Sequence, residues 1–451
     1  MHLPRTSILS APSTLRASNL PRGVIPLAVV YFLSSASMFL WIYMPSKMTA
    51  LGWTGAHIGA FFMVKTISQA LATPLWARWA NRAPNREPRL VGLQHWIALP
   101  AIALLPLATS WTLGVVIAVV LGVTVRSAAP LIDTMALDKV GMGHFGRVRS
   151  IGTLGFGLVA LAFAGIGSAI SQQSLSNIAP WAMLVLTALC IPAIQRLTPS
   201  ASSSSDSQQE TTGGRPGRAT LLELVRSPVV LLLFPVAALF VATHAPYTIF
   251  LVGLAEERQF GAWLPGVAVF IGIVGEFLAF LTFHKLVRRA PPEWLLGAVV
   301  LITGLRWYLT GVTTNAAVFV GLQLLHGLTF AVFFLALLKI LHRHWGPKQG
   351  ANAQALLYLL VFTVGSGVGT LVAGILFDLS SASIVFKQAG VMSFLLLPGL
   401  VLALRTLERS TFTLPHRPAQ LRPVVLRPVA IQRCQAISGE RFNAHFSSRL
   451  H

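Results

Sequence analysis

The chain has 451 residues, of which 54% are hydrophobic and only 10% charged, and its formal net charge is +21. Soluble chains average about 25% charged residues, so an ordinary soluble domain is excluded, and apolar runs near 20 residues point to helices that cross a bilayer. The basic residues sit between apolar runs and in a tail rather than on one soluble face, which excludes nucleic acid as a partner, and two cysteines, Cys190 and Cys434, supply no disulfide framework.

In chain order, Arg5, Arg16 and Arg22 precede the first apolar run. That run continues past Tyr31 to Trp41 without a small-residue cleavage site, so it reads as a span rather than a signal peptide. Twelve spans are expected, at 24–44, 56–76, 90–109, 112–132, 148–170, 178–194, 229–254, 263–284, 294–311, 316–340, 354–376 and 384–404. The shorter alternating segments of a membrane β-barrel do not occur. The fold class is therefore an all-α membrane protein with twelve transmembrane helices in two pseudo-symmetric six-helix bundles.

Between the sixth and seventh spans lies SASSSSDSQQETTGGRPGR. Its Ser, Gly and Gln content cannot bury a core and marks a flexible linker. A six-plus-six layout around a polar linker is how two transporter halves look in sequence. The expected organisation is an N-terminal segment at 1–23, a bundle at 24–195, a linker at 196–228, a second bundle at 229–405 and a basic tail at 406–451.

With the N-terminus inside, 28 of the 34 Lys and Arg residues fall on inner segments. Only Lys47, Arg258 and Lys387 fall outside, and Lys65, Arg126 and Arg306 lie within spans. The positive-inside rule then places both termini in the cytoplasm, in a bacterial-type inner membrane. The Arg-rich tail, with PHRPAQLRPVVLRPV, reads as extended and attracted to anionic lipid.

Ionisable groups are costly inside lipid, at about 2.5–3.5 kcal/mol for a central Asp, Lys or Arg, so each one is a candidate for function. Lys65 shares its helix face with Ser68 and Gln69. Arg126 and Asp133 lie two turns apart on one face of the fourth span. Asp133 is near the inner end, where a loop network with Arg147 and Arg149 is the alternative to a cavity role. In the second half, His244 lies with Tyr247 and Thr248, Glu276 with Gly272 and Ala279, Arg306 with Thr303 and Thr310, and His326 with Gln323 and Thr329. Glu276 falls about 15 Å into its span, near the midplane. Four polar stripes at matched depth are expected to line one aqueous cavity. The bland alternatives are a structural Glu276–Arg306 ion pair, hydrogen-bonded packing of His244 and His326, and a Lys65 that snorkels to the interface.

Other chemistries lack their motifs. The chain has no Walker A loop, no metal-ligand spacing and no Gly-x-Ser-x-Gly elbow. It offers no cofactor site and does not read as an enzyme. His342 and His344 read as a solvated basic loop pair. Gly365, Gly367 and Gly369 lie within an apolar run and read as a helix-packing face of small residues.

Several stretches resemble the major facilitator superfamily, and within it the phenylpropionate permease group, relatives of the lactose and nucleoside proton symporters. They are Pro130-Leu-Ile-Asp133, Gly146-Arg-Val-Arg149-Ser-Ile-Gly152, Thr243-His-Ala-Pro-Tyr247, Val274-Gly-Glu276, Lys285-Leu-Val-Arg288-Arg289, Leu305-Arg306-Trp307 and Gln323-Leu-Leu-His326. The resemblance implies alternating access and proton-coupled uptake. In the lactose relatives, helices eight, nine and ten supply a carboxylate, an arginine and a histidine. Glu276, Arg306 and His326 fall on those helices and are the expected proton-coupling set.

Three positions depart from the relatives. Thr329 stands where the lactose relatives have a carboxylate, which leaves Glu276 as the proton carrier. Ile151 stands where the permease group has Trp, and the loop after the second span lacks the superfamily's acidic residue. The cation excess from Lys65, Arg126 and Arg306 favours a small organic anion such as an aromatic carboxylate over a neutral sugar, with His244 and Tyr247 as further contacts. The expected partners are this small-molecule substrate, a proton and the lipid bilayer. Two rivals are a proton antiporter that exports drugs or metabolites and a non-transporting membrane receptor or scaffold. A third, an integral membrane enzyme, lacks a catalytic constellation.

Overall fold

The computed structural model describes residues 24–83, 86–197 and 224–412. The expected N-terminal segment, most of the linker and nearly all of the basic tail lie outside the described residues. Twelve helices are long and apolar enough to cross a membrane: α1 Val24–Ala50, α2 Gly55–Ala80, α3 Glu87–Leu107, α4 Trp111–Gly141, α5 His144–Gly167, α6 Gln172–Gln195, α7 Val229–Glu257, α8 Leu264–Arg289, α9 Pro292–Val312, α10 Ala316–Trp345, α11 Asn352–Asp378 and α12 Ala382–Leu407. No strand occurs among the described residues. Large apolar side chains such as Leu71, Leu395 and Leu402 are exposed on the outer surface, as contact with lipid requires.

Several helices run past the expected spans, because hydropathy marks the lipid-embedded part and not the helix end. α4 continues to Gly141, where φ is +66° and the backbone leaves the helix. Left-handed backbone of this kind suits glycine, which has no Cβ to clash. α10 continues to Trp345 through the polar residues His342 and Arg343.

Several helices are also irregular at mid-depth. α1 passes through a 3-10 turn at Leu40–Tyr43, just before Pro45. α4 breaks at Thr124 and forms a 3-10 turn at Val125–Ser127. α10 and α11 widen into π segments at Gly327–Val332 and Leu357–Val364. Non-helical backbone at membrane depth is tolerated where protein or a cavity re-satisfies it. In α4 the freed Val123 carbonyl accepts from Trp76 Nε1 and Ser127 Oγ.

In the first group of six, α1 packs on α5 and α6, α2 on α4, and α3 on α6. In the second group, α7 packs on α11, α8 on α10, and α9 on α12. The groups meet through α1–α7, α2–α11 and α5–α8. The face that carries Val24, the end of α6 at Gln195, the start of α7 at Val229 and Leu407 is called the basic face. Near the opposite face, Gly55 and Gly59 lie against the backbone of Gly374 and Thr370, and Gly167 lies against that of Ala262. A Cβ at Gly167 would come 2.6 Å from the Ala262 carbonyl oxygen, so these close approaches need glycine.

The buried core has the same asymmetry. One cluster joins both groups, from Phe39 and Phe61 to Phe250 and Leu264. Toward the basic face the core divides into two separate clusters, one around Leu27, Trp76 and Ile194 and one around Phe234, Leu337 and Leu400. Among the described residues, every hydrogen bond between the groups lies near the opposite face: Ser46 to Glu256, and Gly55 and Ala56 to Asp378. The molecule is therefore closed at the opposite face and parted at the basic face.

Candidate functional site

The first group contributes two cations. Gly122 of α4 lies against the Lys65 carbonyl of α2, so the two backbones are close. This brings Lys65 near Arg126, which sits in the 3-10 turn of α4. Lys65 is buried, and its Nζ lies 3.4 Å from the Trp41 ring centroid and 4.4 Å from that of Phe62. A cation over aromatic faces gains electrostatically from the ring quadrupoles but keeps its N–H donors free. Arg126 is half-buried, and its Nη1 donates to Met38 Sδ at 3.0 Å, a weak acceptor. Neither cation has a carboxylate partner among the described residues. Lys65 does not snorkel: it is held inward on Trp41.

The second group contributes a tight network around Arg306. The Arg306 side chain is fully buried. Its Nη1 donates to Thr329 Oγ1 at 2.8 Å and His326 Nδ1 at 3.2 Å, and its Nη2 donates to Gln323 Oε1 at 2.7 Å. The guanidinium lies over Trp307 at 4.0 Å and Tyr247 at 5.1 Å. Gln323 is held in turn, with its Nε2 donating to the Phe319 carbonyl at 2.9 Å. Because a guanidinium only donates, His326 Nδ1 must accept, which puts the imidazole hydrogen on Nε2 and makes the ring neutral. His326 is also stacked between Tyr247 (5.1 Å between centroids) and Phe330 (5.6 Å).

Thr303, Arg306, Thr310, Gln323 and Thr329 are all 0% exposed. Arg306, Gln323 and Thr329 thus form a buried polar network with His326. Thr303 and Thr310 are buried beside it, with hydroxyls that have no hydrogen-bond partner among the described residues, and the stripes of α9 and α10 do not line an open cavity. His244 lies at the break in α7, with Nδ1 on the Phe240 carbonyl at 3.2 Å and its ring edge-on to Trp307 at 5.2 Å.

Glu276 is half-buried on α8. Gly275 and Gly327 bring the backbones of α8 and α10 into contact beside it. One turn earlier, a Cβ on Gly272 would meet Tyr247 Oη at 3.2 Å and His326 Cβ at 3.5 Å. Glu276 therefore lies on the helix face that adjoins the Tyr247–His326 stack. No ion pair or hydrogen bond joins Glu276 to Arg306 among the described residues. In this conformation both terminal nitrogens of Arg306 are engaged by neutral groups, its Nε has no hydrogen-bond partner among the described residues, and no ion pair joins it to Glu276.

Asp133 belongs to a network on the basic face. It accepts from Tyr31 Oη at 2.6 Å and lies 3.7 Å from Arg149 Nη1. No ion pair joins Arg147 to Asp133 among the described residues. With Lys139, His144 and Ile151, Arg147 lines a groove of about 610 Å³ between α1, α4 and α5.

The sequence reading missed the aromatic partners Trp41, Phe62 and Phe330, because no spacing rule links residues on separate helices. It did place Gln323 and Thr329 beside His326 at helical steps, but as part of a cavity lining and not as acceptors for Arg306. The small-residue reading of Gly365 and Gly369 holds, as they lie against Ala238 and Ala242 of α7.

Residues 24–388 match the model of the MFS_1 like family. Among known sequences, the chain is 24% identical over 388 residues to the uncharacterized transporter YwbF of Bacillus subtilis (strain 168), covering 81% of this chain and 88% of that one. It is 26% identical over 345 residues to the maltose permease of Geobacillus stearothermophilus, covering 72% and 80%. Among solved structures, it resembles the nucleoside transporter NupG, with a TM-score of 0.74 and 17% identity over 85% of this chain and 99% of that one. These likenesses fix the twelve-helix transporter fold and a membrane location. They show the family and the fold, and not the finer likeness to the phenylpropionate permease group.

Proposed function

The chain belongs to the MFS_1 like family of secondary transporters of small organic solutes and is not an enzyme; from that premise we propose that it carries a small organic anion, best represented by an aromatic carboxylate, inward together with a proton. The observation that carries this reading is the mismatch of buried charge. Among the described residues, Lys65, Arg126 and Arg306 have no carboxylate partner, and Glu276 has no cation partner. An unpaired ion in a low-dielectric site is costly, and an arriving anion and proton relieve both imbalances at once.

The cations of the two groups differ in what they can offer. Arg306 has its terminal nitrogens committed to His326, Thr329 and Gln323, so it braces the second group in this conformation. Lys65 and Arg126 keep most of their donors free and supply the anion contact. Trp41 beside Lys65 and the Tyr247–His326–Phe330 stack offer flat apolar faces for an aromatic ring. His326 Nε2–H and Tyr247 Oη supply polar contacts.

Glu276 carries the proton. In the present conformation, parted at the basic face, it is separate from Arg306. Pairing of the two when the molecule opens at the other face would favour the ionised form there and link proton release to the cycle. The excess of Lys and Arg on the basic face supports a cytoplasmic location for that face and both termini, in a bacterial inner membrane, and so an inward-facing state. The domain limits 24–195 and 229–405 follow from the same reading.

The test is uptake of radiolabelled phenylpropionate and benzoate into proteoliposomes with an imposed gradient, acid outside. Accumulation that collapses with a protonophore is expected. The reading is overturned if flux ignores the gradient or runs only outward against it, the latter being the signature of an exporting antiporter. Absence of any solute flux would favour a receptor or scaffold.

A further inference from the structure

We propose that Asp378 is a latch that holds the face opposite the basic face closed, and so sets the balance between the two open states of the transporter. The inference rests on the alternating-access reading. Asp378 ends α11 in the second group, and Gly55 opens α2 in the first. The Asp378 carboxylate accepts from Gly55 N through Oδ1 at 2.5 Å and from Ala56 N through Oδ2 at 2.7 Å. Both donors belong to the first turn of α2, whose amides have no partner within their own helix. A carboxylate placed there gains from two charge-assisted hydrogen bonds and from the positive end of the helix dipole.

The surrounding packing makes the contact specific. Gly55, Gly59 and Gly374 bring the two helix backbones together, and a Cβ on Gly55 would come 2.9 Å from the Phe377 ring and 3.0 Å from Asp378 Oδ1. Thr54 caps the same turn from within, accepting from His57 N at 3.2 Å, so Asp378 serves the amides that Thr54 leaves free. The only other hydrogen bond between the groups among the described residues, Ser46 to Glu256, is longer at 3.3 Å and exposed. Because α2 and α11 belong to different groups, the Asp378 bonds cannot survive separation of the groups at this face. The face opens only when they break.

Glu257 provides a control of matched chemistry. Its carboxylate accepts from Ser383 N at 3.0 Å and from Ser383 Oγ at the start of α12. That contact also caps a helix N-terminus with a carboxylate, but both partners lie in the second group and move together.

The experiment measures conformation without transport. Spin labels are placed at Leu107 and Val312, exposed positions at the opposite face in different groups, in a Cys190→Ser, Cys434→Ser background of the full chain. Double electron–electron resonance then reads the distance distribution. Asp378→Ala is expected to raise the ratio of the long-distance to the short-distance population by about tenfold or more, the least that loss of even one of the two charge-assisted hydrogen bonds supports. Asp378→Asn, which keeps one acceptor oxygen, is expected to give a smaller shift, and Glu257→Gln none. An unchanged distribution in Asp378→Ala, or an equal shift in Glu257→Gln, would overturn the proposal. Neither result bears on substrate or proton coupling, so the latch and the transport reading fail separately.

Discussion

Gly327→Ala tests how the helix contact beside Glu276 positions the site. Gly327 follows His326 on α10 and lies against Gly275 and Glu276 of α8. An added Cβ would come 2.6 Å from the Glu276 backbone nitrogen and closer still to the Gly275 carbonyl. Reaching the 3.4 Å of an ordinary contact requires α8 and α10 to part by about 0.8 Å or more. Overpacking of this kind costs about 1–3 kcal/mol. It also moves Glu276 relative to His326, and displacements near 1 Å weaken sites built for close contact. Gly321 lies on the same helix with nothing within 4 Å of its would-be Cβ, so Gly321→Ala removes a glycine from a helix at no steric cost. Thermal unfolding of the two purified variants is the assay, followed by proton-driven uptake. Gly327→Ala should melt below the parent and transport poorly, and Gly321→Ala should match or exceed the parent in stability. Equal melting of the two variants would refute the argument that the backbones of α8 and α10 must touch here.

Lys65→Met and Arg126→Gln should each weaken binding of an aromatic carboxylate roughly 10- to 150-fold, from loss of a charge-assisted hydrogen bond of about 1.5–3 kcal/mol. Competition binding on purified protein measures this, and unchanged affinity in both would remove the anion contact from the account. Gln323→Leu leaves Arg306 Nη2 buried without its acceptor and should lower stability by about 1–3 kcal/mol. A neutral result in thermal unfolding would mean that the network does not hold Arg306.

The fold was largely legible because its signals are local. Run length and charge placement give the twelve spans, and Glu276, Arg306 and His326 stand out as polar residues in apolar runs. The helix breaks were not legible. Thr124 leaves the helix without a proline or glycine at its own position, because Trp76 on another helix offsets the cost of the freed carbonyl at Val123. The state of Arg306 was not legible either. Its sequence environment on α9 is compatible with an open cavity or a closed network. Only the arrival of Gln323, His326 and Thr329 from α10 decides for the network. The pairing of Lys65 with Trp41 likewise depends on how α1 bends at Leu40–Tyr43: Pro45 marks the irregular turn in the sequence, but not the side chain on another helix that Trp41 meets there.

The central claim is that Glu276 carries the coupled proton. The most direct measurement compares proton-driven accumulation with counterflow in proteoliposomes containing Glu276→Gln, a side chain of the same shape that cannot ionise. The account predicts that counterflow of the bound substrate persists while accumulation against its gradient is lost. Accumulation that survives at the parent level would contradict it and would move the proton to another group.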